Sequence, residues 1–135
     1  MKESFRMHSM PYAQCHVNIT HDEDGAEVEL VSYNTSVCII RENDNGITLY
    51  CSGTYSATTA RHINRFTREF LGRSHYYECK LALDVDSSSA SYPGFVWVIN
   101  YGFDSPGYDK FCETIECYEN DSFGIGQVRK YHGSY

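Results

Sequence analysis

Val28-Glu29-Leu30-Val31-Ser32-Tyr33-Asn34-Thr35-Ser36-Val37-Cys38-Ile39-Ile40, followed by the polar run Arg41 to Gly46, is the stretch on which the reading of the fold turns. Val31, Tyr33, Thr35, Val37 and Ile39 recur with a period of two, the way an extended strand sets one face against a core. The run closes on Asn45-Gly46, the pair that best tolerates positive φ in a tight turn, and Ile47 to Tyr55 resumes strand-like composition. The stretch predicts a β-hairpin. Directly after it, Ser56 can cap a helix, and Ala60, Ile63, Phe66, Phe70 and Leu71 recur at spacings of three and four before Gly72 offers a left-handed stop. The spacing predicts a helix over 57–71, and residues 28–71 form a ββα unit.

Beyond Gly72, Tyr77, Cys79, Leu81, Leu83 and Val85 alternate with Glu78, Lys80, Ala82 and Asp84, which predicts a one-sided strand. A serine-rich loop from Asp86 to Tyr92 follows, then Phe95, Trp97, Ile99, Tyr101 and Phe103 on another alternating face. Ser105-Pro106-Gly107 reads as a break, and 110–119 and 123–131 read as two further strands. Residues 1–27 show no sustained period and read as an irregular N-terminal arm, with Asp22-Glu23-Asp24-Gly25 as a solvated turn. The architecture expected is α+β: a mainly antiparallel β-sheet with one principal α-helix, the ββα unit being followed by a β-rich part over 72–135.

The chain has 135 residues, 41% of them hydrophobic, enough for a single domain over 1–135 with one core. Aromatics make up 15%, including 12 tyrosines, which argues for a folded chain. Eleven basic residues against 18 acidic ones leave a formal charge of −7, so direct duplex nucleic-acid binding is disfavoured. No apolar run reaches membrane-span length and Met1-Lys2-Glu3-Ser4-Phe5-Arg6 leads into no signal core, so the expectation is a cytoplasmic protein with no membrane partner and six reduced cysteines.

Two charge patterns suggest binding surfaces. Arg61, Arg65 and Arg68 fall at i, i+4 and i+7 of the predicted helix, with Arg73 beyond its end, and guanidinium groups of this kind bind phosphates or carboxylates bidentately. The plainer alternative is a solvated helix face with Glu69 paired to Arg65. Between Glu78 and Asp121 nine carboxylates face only Lys80 and Lys110. Asp84, Asp86, Glu113, Glu116, Glu119 and Asp121 are the candidate partner-binding acids, able to compete for a cationic groove, with solubility charge as the alternative.

Cysteine and histidine are plentiful but lack a Cys-x-x-Cys knuckle. Cys15-His16 with His21, His75 with Cys79, and Cys112 with Cys117 are the combinations from which a zinc site would be assembled. Cys38 and Cys51 read as core residues of the hairpin. His62 on the predicted helix is the histidine that would approach those two thiols, the arrangement a cysteine nucleophile needs. Dinucleotide, Walker, zincin and nucleophile-elbow signatures are absent from the sequence, so no catalytic residues and no cofactor are expected and the enzyme class is not favoured.

Leu30-Val31-Ser32-Tyr33-Asn34-Thr35, then Tyr55-Ser56-Ala57-Thr58-Thr59 with Arg61-His62-Ile63-Asn64 and Phe66, resembles a small domain of unknown function found in phages, mobile elements and gut bacteria. Its members pair a "SYNT-V" strand with a "YS-TT--HI--F" strand-to-helix turn. The resemblance implies a ββα unit and a phage or mobile-element setting, and no family activity. In that setting a small, acidic, tyrosine-rich chain reads as an inhibitor that binds a host defence protein. The concrete expectation is an anti-CRISPR inhibitor blocking nucleic-acid loading on a CRISPR effector nuclease. The alternatives are a nucleotide or nucleic-acid binder using the arginine stripe, and a zinc-stabilised interaction module.

Overall fold

The computed structural model describes residues 2–53, 56–85, 88–89 and 92–120. Six strands run in chain order, β1 (Lys2–Arg6), β2 (Cys15–Asp22), β3 (Gly25–Ser32), β4 (Thr35–Asn43), β5 (Gly46–Cys51) and β6 (Val96–Tyr101). They form one antiparallel sheet in the order β1-β2-β3-β4-β5-β6. Three helices join it: α1 (Ala57–Leu71), α2 (Tyr76–Asp84) and α3 (Pro106–Asn120). The fold is α+β, as the sequence implied, with two helices beyond the principal one.

The hairpin closed by Asn45-Gly46 forms as expected, with Asn43 opposite Gly46. The residues before it differ from expectation. The stretch 28–40 is two strands, folded at Tyr33-Asn34 so that Ser32 pairs with Thr35, and Tyr33 takes φ 57°. The two-residue turn shifts the alternation by one and the bulge at Val37, opposite Leu30 and Val31, shifts it back, so the period in the sequence runs through the turn unmarked. The core face is the even-numbered one, Val28, Leu30, Cys38 and Ile40, whereas Tyr33 and Thr35 are exposed. Residues 1–27, read as an arm, supply β1, β2 and the start of β3. Val17 and Ile19 are buried there against Leu30 and Val28 on the neighbouring strand.

Helix α1 occupies the predicted span. Ser56 Oγ accepts a hydrogen bond from Thr59 N at 3.1 Å, and Gly72 closes the helix with φ 90°. The two other helices stand where strands were expected. In α2, Cys79 and Ala82 are buried at a spacing of three, and the alternating Tyr77, Leu81 and Val85 point outward. In α3 the sequence Ser105-Pro106 is a helix start: Ser105 Oγ accepts from Tyr108 N at 3.2 Å and Pro106 sits at the first helical position. Phe111, Thr114, Ile115 and Tyr118 then form its buried stripe. The strand expected over 123–131 lies outside the described residues.

All three helices cover one face of the sheet. α1 packs over β3, α2 over β5 and β6, and α3 against α1. α3 crosses from Tyr101 in β6, whose ring abuts Gly107, to Phe5 in β1, whose ring meets Tyr118 at 5.6 Å. The core between the layers combines Val17, Ile19, Leu30, Ile40 and Leu49 with Ile63, Phe66, Phe70, Phe111 and Tyr118. The uncovered face carries polar ladders. Ser4 Oγ donates to Asn18 Oδ1 at 2.5 Å and Asn18 Nδ2 to Glu29 Oε1 at 2.7 Å. Asn43 Nδ2 donates to Thr48 Oγ1 at 2.8 Å, and Thr48 in turn to Asn100 Oδ1 at 2.6 Å.

Candidate functional site

The motif residues converge where the Tyr33-Asn34 turn meets the start of α1. Ser32 Oγ lies 2.8 Å from His62 Nδ1 and 3.0 Å from Thr59 Oγ1, while Ser56 Oγ donates to Thr59 Oγ1 at 3.2 Å. The Tyr33 ring leans over the His62 imidazole at 6.0 Å between centroids. Burial, followed by the neighbouring Arg61 charge, holds His62 below its ordinary pKa, so the ring is neutral near pH 7. A neutral imidazole bonded to a hydroxyl has general-base geometry. Here, however, Ser32 and His62 are each only 2% exposed, so the cluster fastens the turn to the helix and presents no nucleophile to solvent. His62 meets Ser32 and not the hairpin thiols that sequence reading had set near it.

Those thiols belong to the core. Cys38 and Cys51 face each other across β4 and β5, and Cys51 Sγ donates to Cys79 O at 3.6 Å. The thiol of Cys79 is held above its ordinary pKa, first by its contact with Cys38. Burial, then the Glu69 charge, pushes Cys15 up to about 12. All six cysteines are free thiols. The zinc combinations expected from sequence do not assemble: among the described residues no three His, Cys, Asp or Glu side chains converge on a metal position. His21 bonds Glu119 at 2.7 Å, and His75 Nε2 meets Tyr101 Oη at 2.7 Å.

The charged candidates divide between helices. Arg61, Arg65 and Arg68 are exposed on α1, as their spacing implied. Arg68 donates to Ser74 Oγ at 2.8 Å, Arg61 to Thr58 Oγ1 at 3.4 Å, and Arg65 forms no bond among the described residues. Glu69 does not pair with Arg65. It accepts from Ser9 N at 2.9 Å and Tyr118 Oη at 2.6 Å, tying the β1–β2 connection to α1 and α3. On α3, Glu113 and Glu116 are exposed, whereas Glu119 is occupied by His21. Asp84 is exposed at the end of α2, on a different helix; Asp86 and Asp121 lie outside the described residues.

Once 110–119 is helical, a residue that strand spacing had hidden joins the acids. Asp109, Glu113 and Glu116 stand at i, i+4 and i+7, all exposed and without an ion pair among the described residues. Two packed helices therefore present stripes of opposite sign.

A family model described as a family of unknown function, DUF8033, matches residues 8–80, more than half of the chain. The chain belongs to the DUF8033 family. The DUF8033 match takes in β2 to β5, α1 and the Ser32–Thr59–His62 cluster, along with the arginine stripe. β6 and α3, and with them the acidic stripe, fall beyond it. No curated protein matches the chain, and no solved structure does.

Proposed function

We propose that this chain works by binding a protein: the acidic face of α3 docks on a cationic groove that otherwise holds nucleic acid. The observation that carries this reading is the stripe Asp109, Glu113 and Glu116, exposed and without cationic partners among the described residues, in a chain of net charge −7. Charges so arranged steer association with a basic surface and repel competing polyanions. The partner proposed is a host defence protein, most concretely a CRISPR effector nuclease of the bacterial cytoplasm whose guide or target loading is blocked. The resemblance of the SYNT and YS-TT--HI segments to a phage and mobile-element domain supports that choice. The test is guide loading by a purified effector, followed by anisotropy with increasing amounts of this protein. Loading falls in proportion to added protein if the reading holds. Undisturbed loading across effectors of different types contradicts it.

A second reading rests on Arg65, exposed and unbonded between Arg61 and Arg68. Three aligned guanidinium groups suit a phosphate-bearing ligand such as a nucleotide or single-stranded oligonucleotide. Titration with oligonucleotides and cyclic nucleotides decides it, because binding must vanish when the three arginines become glutamine.

A further inference from the structure

The sheet face away from the helices carries a cavity of about 410 Å³ at the end where the β2–β3 and β4–β5 turns lie, lined by Asp24, Arg41, Asn43, Asp44, Tyr50 and Tyr92. Ile40 and Leu49 enter the core, so Arg41 and Tyr50 turn to the opposite side and reach this cavity. Most of the lining is already held in place. Arg41 donates to Asp22 Oδ1 at 2.6 Å and its side chain is only 15% exposed. Tyr92 donates through Oη to Glu27 Oε1 at 2.6 Å, and its ring centroid stands 4.8 Å from that of Tyr50. Asn43 donates to Thr48 Oγ1 at 2.8 Å and accepts from Asn45 N at 2.8 Å. Bonding capacity remains, because a guanidinium carries five N–H donors and a primary amide two donors and two lone pairs. The carboxylates of Asp24 and Asp44, both exposed at their turns, accept no hydrogen bond among the described residues.

The geometry points to a saccharide as the ligand of this cavity, one ring lying against Tyr50 and Tyr92 with its hydroxyls shared between Arg41 and the carboxylates of Asp24 and Asp44. A hydroxyl both donates and accepts. The cavity sets a donor-only guanidinium beside acceptor-only carboxylates, with an amide that does both, which is the complement of a row of hydroxyls. Other ligand classes fit less of it. A phosphate or carboxylate suits Arg41, but Asp24 and Asp44 repel it and the Arg41 charge is already met by Asp22. A simple organic cation suits the carboxylates and leaves the Arg41 donors without an acceptor. An apolar ligand takes water from four polar side chains and returns no hydrogen bond. The C–H face of a sugar ring, by contrast, rests on the two tyrosine rings while its edge bonds the polar groups. The volume lies within the range of small-ligand pockets, roughly 300–1,000 Å³, and has room for one or two sugar rings. The cavity is on the opposite side of the sheet from α3, so a bound sugar leaves the acidic stripe uncovered.

The experiment is saturation-transfer nuclear magnetic resonance on the full chain with glucose, galactose, mannose, glucosamine, cellobiose and lactose as probes, followed by calorimetric titration of those that bind. The uronates of the same sugars serve as the charged comparison. The expected result is transfer to at least one neutral or amino sugar, strongest at the ring C–H groups that face the tyrosines. The matching uronate binds at least about tenfold more weakly, because its carboxylate meets Asp24 and Asp44. Asp24→Ala with Asp44→Ala, both at exposed positions, lowers sugar affinity at least about tenfold with an unchanged far-ultraviolet circular dichroism spectrum. Tyr50→Ala lowers it as well, whereas Tyr50→Phe retains it, since the ring and not the hydroxyl supports the sugar. No transfer to any of these sugars overturns the proposal. So does binding that is indifferent to both the aspartate pair and Tyr50→Ala, or a uronate held as tightly as its neutral parent.

Discussion

Ser32 spends its hydroxyl on two buried partners, Thr59 Oγ1 at 3.0 Å and His62 Nδ1 at 2.8 Å, and through them ties the β3–β4 turn to the first turn of α1. Ser32→Ala strands a buried imidazole nitrogen, so it is expected to cost about 1–3 kcal/mol, read as a lower urea midpoint with an unchanged slope. An unmoved midpoint contradicts the fastening role. Histidine burial also sets a pH dependence. Burial, followed by the Arg61 charge for His62 and the Arg73 charge for His75, holds both below their ordinary value of 6.5. The unfolded chain therefore takes up protons at a higher pH than the folded one, and stability is full above about pH 6.5 and lost as pH falls below it. The urea midpoint is expected to drop between pH 7.5 and 5.5, and to drop less in His75→Gln. A flat profile over that window contradicts the assignment.

Element by element, legibility followed how local the signal was. α1 was readable to the residue because cap, apolar stripe and left-handed stop all lie within 56–72. The Asn45-Gly46 hairpin was readable for the same reason. There Gly46 has φ 133°, and a Cβ on it would stand 2.0 Å from Tyr101 O, so Gly46→Ala must both strain the turn and push β6 away. The loss expected is about 3 kcal/mol or more, against a smaller one for Gly53→Ala, where φ 80° strains an alanine but nothing described lies within 4 Å. Equal midpoints for the two variants would contradict that account. α2 was misread because a helix of nine residues needs only Cys79 and Ala82 inside, which leaves Leu81 and Val85 free to imitate the period of a strand. In α3 the Ser105-Pro106 start signal was read as a break, and that error hid Asp109 from the acidic stripe. The Tyr33-Asn34 turn carries no glycine, so nothing local marked the fold in a continuous alternation.

At the scale of the whole molecule, a sheet covered on one face places its helices outermost, and their solvent sides become the surface offered to partners. α1 offers arginines, α3 carboxylates and α2 an apolar stripe, so the three helices suit different contacts. The Ser32–Thr59–His62 cluster, inside the DUF8033 span, holds the turn and α1 in place beneath those surfaces. Sequence reading reached the candidate surfaces by charge pattern, which survives errors in secondary structure, but it could not separate Glu119, taken up by His21, from Glu113 and Glu116. In the proposed docking, the acidic face of α3 steers the encounter. The most direct measurement is the association rate with a partner captured from lysates rich in defence complexes, recorded against ionic strength for the native chain and for Glu113→Lys with Glu116→Lys. Steered association predicts a rate that falls steeply with salt in the native protein, and a slower rate with a flattened salt dependence in the variant. The same rate and the same salt slope in both proteins would contradict it.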